Sequence, residues 1–164
     1  MTAKPTLFRV DQLDLTFAPK PWPFAQDKRA EIAAFFAEMQ QRIPALWNGR
    51  VLLMYQHAVR DGIFRGDYLE TDYASFLAWR RWGSSPVFIH DCFGAGAVVS
   101  ADNAVILGVM GEHTANAGRI YFPAGTPDPS DIIDGKVDLG ASVARELREE
   151  TGCDIGEFRA EPGW

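Results

Sequence analysis

The chain has 164 residues, of which 47% are apolar and 23% charged, with a formal net charge of −6. That length and mix fit one globular domain with at most a small appendage, exclude a mainly disordered chain, and leave no apolar run near the ~20 residues of a membrane span. An acidic balance without a long basic cluster argues against sequence-independent nucleic-acid binding, although a local metal site still allows an anionic substrate. Met1-Thr2-Ala3-Lys4-Pro5 has no apolar core behind its charge and does not read as a signal peptide. Cys92 and Cys153 are the only cysteines, so free thiols in a cytoplasmic protein are expected, with no membrane and no nucleic acid as partners.

Leu7–Phe17 alternates in part and predicts a strand. Pro19, Pro21 and Pro23 then exclude regular structure, and Asp27 is the expected N-cap of a helix that carries Ile32, Phe35, Phe36 and Met39 at helical spacing and ends before Pro44. Val51–Arg60 and Ile63–Thr71 read as strands joined by Asp61-Gly62, where glycine tolerates the positive φ of a two-residue hairpin. Tyr73–Trp82 is a short helix between the cap Asp72 and the stop Gly83. Phe93–Val99 and Ala104–Met110 predict a second hairpin around residues 100–103, and Arg119–Phe122 a short strand. Ala124–Gly135 reads as a loop, and Leu139–Thr151 as a helix between Asp138 and Gly152. Strands followed by a loop and a helix argue for an α+β fold, with a soft boundary near Gly83–Pro86 that divides an N-terminal extension (1–86) from a core (87–164).

The last helix carries the chemistry. At about 100° per residue with Val143 at zero, Leu147 falls at about 40° and Leu139 at about −40°, which makes one buried stripe. Glu150, Glu146 and Glu149 fall at about −20°, −60° and −120°, flanking that stripe. Carboxylates spaced i, i+3 and i+4 repel, and the C-terminal half of a helix disfavours negative charge. Glutamate-rich faces are ordinarily solvated surface; a sequence that accepts both costs is also a candidate for a cation bound by oxygen alone, Mg²⁺ or Mn²⁺ rather than zinc. Arg145 stands within i,i+4 reach of Glu149.

Arg145-Glu146-Leu147-Arg148-Glu149-Glu150-Thr151-Gly152-Cys153 resembles the second half of the Nudix hydrolase signature at every fixed position. That signature runs Gly, five residues, Glu, seven residues, then Arg-Glu-hydrophobic-x-Glu-Glu-x-Gly-hydrophobic. The first half departs from it. Val137 stands where the family has Glu, beside Asp138, whose expected role is the helix cap with metal assistance as the alternative. Asp131 stands where the family has its first Gly, and Gly125 is the expected loop glycine. The box, about 124–153, spans roughly a fifth of the chain. Pro123-Ala124-Gly125-Thr126-Pro127 is similar to a divergent bacterial branch nearer to sugar-nucleotide hydrolysing members. The family core continues beyond its box, whereas Asp154–Trp164 is all that follows Cys153 here, so truncation at the C-terminus is expected.

The resemblance implies a Nudix-type α/β/α sandwich with a mixed sheet. It implies metal-dependent hydrolysis of a pyrophosphate bond in a small-molecule nucleoside diphosphate derivative. Glu149 and Glu150 would be the main ligands of Mg²⁺ (or Mn²⁺), and Glu146 a third ligand or the group that helps deprotonate water. Arg145 would orient Glu149, and the backbone carbonyl of Gly125 or Ala124 would add a ligand. Arg119 is a candidate substrate contact, with a plain surface arginine as the alternative. His113 and Asn116 are candidates for substrate recognition or for stabilising a turn. His57 and His90 read as structural, and Trp22, Trp47, Trp79 and Trp82 as core or interface rather than base-stacking platforms. Two other functions remain open: a weak or inactive Nudix domain that binds a nucleotide ligand, and a module that dimerises through Phe64, Tyr68, Tyr73, Phe76 and Trp79, which would make a homodimer.

Overall fold

Four successive apolar residues, Val51-Leu52-Leu53-Met54, are all buried, so the strand that carries them is covered on both faces. The computed structural model describes residues 6–83, 89–112, 114, 116–159, 161 and 163–164. Among these the chain forms β1 (Gln12–Phe17), α1 (Pro23–Asp27), α2 (Arg29–Arg42), β2 (Arg50–Arg60), β3 (Ile63–Asp72), α3 (Tyr73–Trp82), β4 (Gly108–Val109), β5 (Ile120–Tyr121), β6 (Ile132–Ile133), β7 (Lys136–Val137) and α4 (Leu139–Thr151). The fold is mixed α+β. Five strands run in the order β2-β3-β1-β7-β6, with β1 parallel to β3 and the other neighbours antiparallel. β1 thus joins strands from both sides of the expected 86/87 division, which itself lies outside the described residues.

Alternation along β2 sends Leu52 and Met54 to one face, with Leu15, Tyr68, Val137 and Leu139 of α4. Val51 and Leu53 point the other way, to Trp22, Leu69 and Phe76 of α3. A third cluster, Ile32, Phe36, Leu46, Ala74 and Leu77, binds α2 to α3. The outer edge of β2 would otherwise expose unpaired backbone. Two segments cover it: the Leu52 N–H donates to the Pro127 carbonyl at 2.7 Å, and Met54 exchanges backbone bonds with His90 at 3.0 and 2.7 Å. The Tyr68 hydroxyl adds a bond to the Cys92 carbonyl at 3.0 Å. The loops on either side of the cavity described below are therefore docked on one strand edge.

Several local expectations need correction. Asp27 is not an N-cap: it ends α1, and Lys28 separates α1 from α2 without a side-chain cap. Pro23 causes the difference, because its fixed φ suits a first helical turn, and helical backbone starts there instead of being excluded. The first strand begins at Gln12; Leu7 and Phe8 are exposed and pair with nothing in the sheet. The hairpin over 93–110 shrinks to its turn, with Ser100 and Ala104 bonded and a single Val99–Val105 bridge. Gly108–Val109 pairs instead with Ile120–Tyr121. The 124–135 loop holds a 3₁₀ turn (Pro129–Asp131) and strand β6. Asp134-Gly135, both at positive φ, closes the β6–β7 hairpin as Asp61-Gly62 closes β2–β3. Of the aromatics expected at a dimer face, Tyr68 and Phe76 are fully buried, and Phe64, Tyr73 and Trp79 are half-buried against the core clusters. No helix among the described residues is long and apolar enough to cross a membrane.

His57 and His90 are partners, their rings 4.7 Å apart and perpendicular across the Met54–His90 bridge. Burial holds the His90 imidazole below its ordinary value of 6.5, and His57 lowers it further. The unfolded chain therefore binds a proton more readily at this ring than the folded chain does. The stability it contributes is complete above pH 6.5 and is lost as pH falls through the window between 6.5 and the lower folded value. Urea unfolding between about pH 5 and about pH 7.5 should show this loss, and His90→Asn should flatten the profile; an unchanged slope in the variant would exclude His90 as its source.

Candidate functional site

Helix α4 is set by its ends. The Asp138 side chain accepts the Ala141 N–H at 2.9 Å, which settles its expected capping role, and Gly152 closes the helix in the left-handed region at φ 76°. Leu139, Ser142 and Leu147 make the buried stripe. With those positions fixed, Glu146 is half-buried on the flank, and Glu149 and Glu150 lie further out.

The loop from Pro123 to Pro127 lies across that flank. It is held at both ends: the Pro123 carbonyl accepts from the Gly96 N–H at 2.9 Å, and Pro127 is tied to β2. Between these anchors the Ala124 N–H donates to Glu150 Oε2 at 3.2 Å. A Cβ at Gly125 would lie 2.3 Å from the Glu146 carboxyl carbon, so a larger residue here would push that carboxylate aside. The loop glycine and two of the three box carboxylates expected from sequence, Glu146 and Glu150, are thus brought together.

Arg145 behaves differently from expectation. Its first partners are Asp131 (Nη2 to Oδ2, 2.9 Å) and Glu146 (Nη1 to Oε1, 2.6 Å); Asp128 and Glu149 stand at 3.8 and 3.9 Å. It positions Glu146 more than Glu149. Asp131 is 2% exposed and also accepts the Asp128 N–H at 3.0 Å, in a reciprocal capping box. Burial pulls the Arg145 guanidinium down, yet the charges of Asp131, Glu146 and Asp128 outweigh it and raise the group overall.

Glu146, Glu150 and Gly125 face a cavity of about 690 Å³. Asp91 and Thr126 add polar groups to the wall, with the Thr126 hydroxyl 3.3 Å from Asp91 Oδ1. Trp47, Tyr73, Phe93 and Tyr121 make an aromatic side, and Arg80 and Arg119 bring positive charge. Glu149 is not on this wall. Burial pushes the Glu146 carboxyl above its ordinary range; Arg145 opposes this, and Glu149 and Glu150 add to it. Glu150 is raised by burial and eased by the Ala124 N–H. Asp91 is raised by burial against the pull of Arg80 and Thr126. Among the described residues no group of three or more His, Cys, Asp or Glu side chains is drawn together as a metal site. The donors at hand are carboxylate oxygens, which in kind suit a hard divalent cation.

Sequence reasoning missed Asp91, Arg80 and Asp131. Only Asp131 left a signal, the acidic pair of Asp128-Pro-Ser-Asp131 at capping-box spacing. Of the core and interface roles expected for Trp47, the core is excluded, because it is 79% exposed on the cavity lining. Asn116 lines the cavity, while His113 lies outside the described residues.

Removing Asp131 leaves Arg145 without its main partner. Because Arg145 keeps partial access to water, Asp131→Ala should cost about 2–3 kcal/mol in urea unfolding, less than a fully buried pair; a loss under about 0.5 kcal/mol would show that the pair does not hold the loop. No family model matches the chain, and no curated protein matches it.

Proposed function

We propose that this chain is a divalent-metal-dependent diphosphohydrolase of the Nudix type, and that the cavity between α4 and the Pro123–Pro127 loop is its active site. One juxtaposition supports this most: Glu146 and Glu150, from a segment with the Arg-Glu-Leu-x-Glu-Glu pattern, face the same cavity as Gly125 and the arginines Arg80 and Arg119. In this reading the sheet, with α4 on one face and α3 on the other, is the Nudix-type α/β/α sandwich. The substrate is a nucleoside diphosphate linked to another moiety.

A cavity lined by carboxylates repels a pyrophosphate unless a cation intervenes. Bound Mg²⁺ or Mn²⁺ neutralises phosphate charge and makes a coordinated water more acidic. Glu146 and Glu150, which face the cavity, would hold the ion, with the Gly125 carbonyl as a further oxygen and Glu149, on the same helix turn but off the wall, as a third carboxylate only if its side chain swings in. Glu146, kept in place by Arg145, also serves as acceptor for the proton of the attacking water. Arg119 and Arg80 attract the phosphates, and Trp47 and Phe93 offer apolar surface to the rest of the ligand. Neutralising and aligning the diphosphate is the main work in such a reaction.

A second reading is nucleotide binding without turnover. The position of Glu149 off the cavity wall favours it. A phosphate-release screen separates the two: a panel of diphosphate-linked nucleotides, with Mg²⁺ or Mn²⁺ and a coupled phosphatase. Hydrolysis predicts turnover that chelation abolishes and that Glu146→Gln and Glu149→Gln reduce by roughly 10²–10⁴-fold. A folded chain that binds members of the panel and cleaves none would establish the binding reading instead.

A further inference from the structure

A second cavity, of about 700 Å³, opens between α2, the C-terminal end of α3 and the turn at 116–119. Its charged lining is Arg42, Arg80, Arg81, Arg119 and Glu38. Four arginines against one glutamate make it strongly basic, in a chain whose net charge is −6. Arg42 forms an ion pair with Glu38. Arg80, Arg81 and Arg119 have no carboxylate within 4.0 Å among the described residues.

Asp91 attracts Arg80 from beyond ion-pair distance, but arginines brought together from separate elements otherwise repel one another. The dipole of α3 accounts for Arg80 and Arg81, which lie in its last turn. It does not account for Arg119, which comes from the other half of the chain; Arg42 lies in the last turn of α2 and is paired there with Glu38. Arg80, Asn116 and Arg119 line both cavities, so the basic groove continues from the carboxylate cavity. Guanidinium groups without carboxylate partners have donors free for phosphate oxygens.

We infer that this groove is an anion subsite, and that it takes a phosphate group of the substrate other than the two of the scissile diphosphate. The inference rests on the hydrolase reading for its substrate, and it deepens that reading: the preferred substrate class is a diphosphate-linked nucleotide that also carries a phosphate monoester. The scissile diphosphate lies by Glu146 and Glu150, and the monoester lies among Arg42, Arg81 and Arg119.

The test uses the full chain at low salt with divalent ions chelated, so that the carboxylate cavity repels anions and the groove alone can attract them. Calorimetric titration with inorganic phosphate should show saturable binding of one equivalent. Arg81→Gln should weaken it by about fivefold or more, Arg81→Lys should retain most of it, and raising the salt should weaken it in the wild type. A second titration compares NADH and NADPH, two diphosphate dinucleotides that differ by one phosphate monoester. NADPH should bind about tenfold tighter, and Arg81→Gln should bring the two to parity. Absence of saturable phosphate binding, undiminished binding in folded Arg81→Gln, or equal binding of the two dinucleotides overturns the inference. Failure of the hydrolase reading is distinct from these outcomes, because it appears as absent metal-dependent turnover while phosphate still binds.

Discussion

The contact between Arg145 and Asp131 decides how the site is arranged. Asp131 is almost fully buried, so its charge needs a partner, and Arg145 supplies one at 2.9 Å. The pair ties α4 to the Pro129–Asp131 turn, and hence to the β6–β7 hairpin and the sheet. Together with the buried stripe of Leu139, Ser142 and Leu147 it holds the helix in one rotation about its axis. With Arg145 turned toward Asp131, Glu146 comes under Gly125 and Glu150 meets the Ala124 N–H. Glu149, one position before Glu150, is left facing outward. A helix with three acidic residues in its second half thus presents two of them to one cavity and one to solvent.

The other constraint is the open edge of β2. A strand buried on both faces still has one row of backbone groups without a strand beside it. The Pro127 carbonyl and the backbone of His90 fill that row. One anchors the loop that carries Gly125, the other the segment that carries Asp91 and Phe93. Because the same edge positions both, the cavity walls are set relative to each other by sheet geometry, although most of the wall is loop. The N-terminal part also contributes: Trp47, Tyr73 and Arg80 come from before residue 83. The site is not contained within the carboxylate helix and its loop.

The parts of this arrangement that were legible in the sequence are those that a few neighbouring residues determine. Asp72 and Gly83 bound α3, and Asp138 and Gly152 bound α4, because cap and stop are local backbone chemistry. The Asp61-Gly62 hairpin was legible for the same reason. Asp134-Gly135 carries the same signal, but strands of two residues show no alternation, so the segment around it reads as loop. Carboxylates flanking the buried stripe of α4 followed from the helical period alone. What depended on other segments was not legible. The partner of Arg145 could be sought only four residues away, because nothing in the sequence says that Asp131 is buried. Pro23 reads as a breaker by type, because its suitability for a first helical turn shows only once a helix is known to follow it. Arg80 and Asp91 carry no local pattern; they meet the site only because α3 and the β2 edge bring them there.

The charge distribution connects the two cavities. The carboxylates of α4 and Asp91 give the first a negative floor, and Arg80 and Arg119 stand where it joins the basic groove. Opposite signs in adjacent pockets make a steep potential, and a ligand lying across the junction is oriented by it. A flexible polyphosphate without a cation would be drawn to the groove and away from the floor. With a cation on the floor, both ends attract it. The same arginines would then have separate effects in the two conditions, retaining anions when the carboxylates are bare and aligning an anion across the junction when they are neutralised. That dependence follows from where the charges stand, and it needs no movement of the chain.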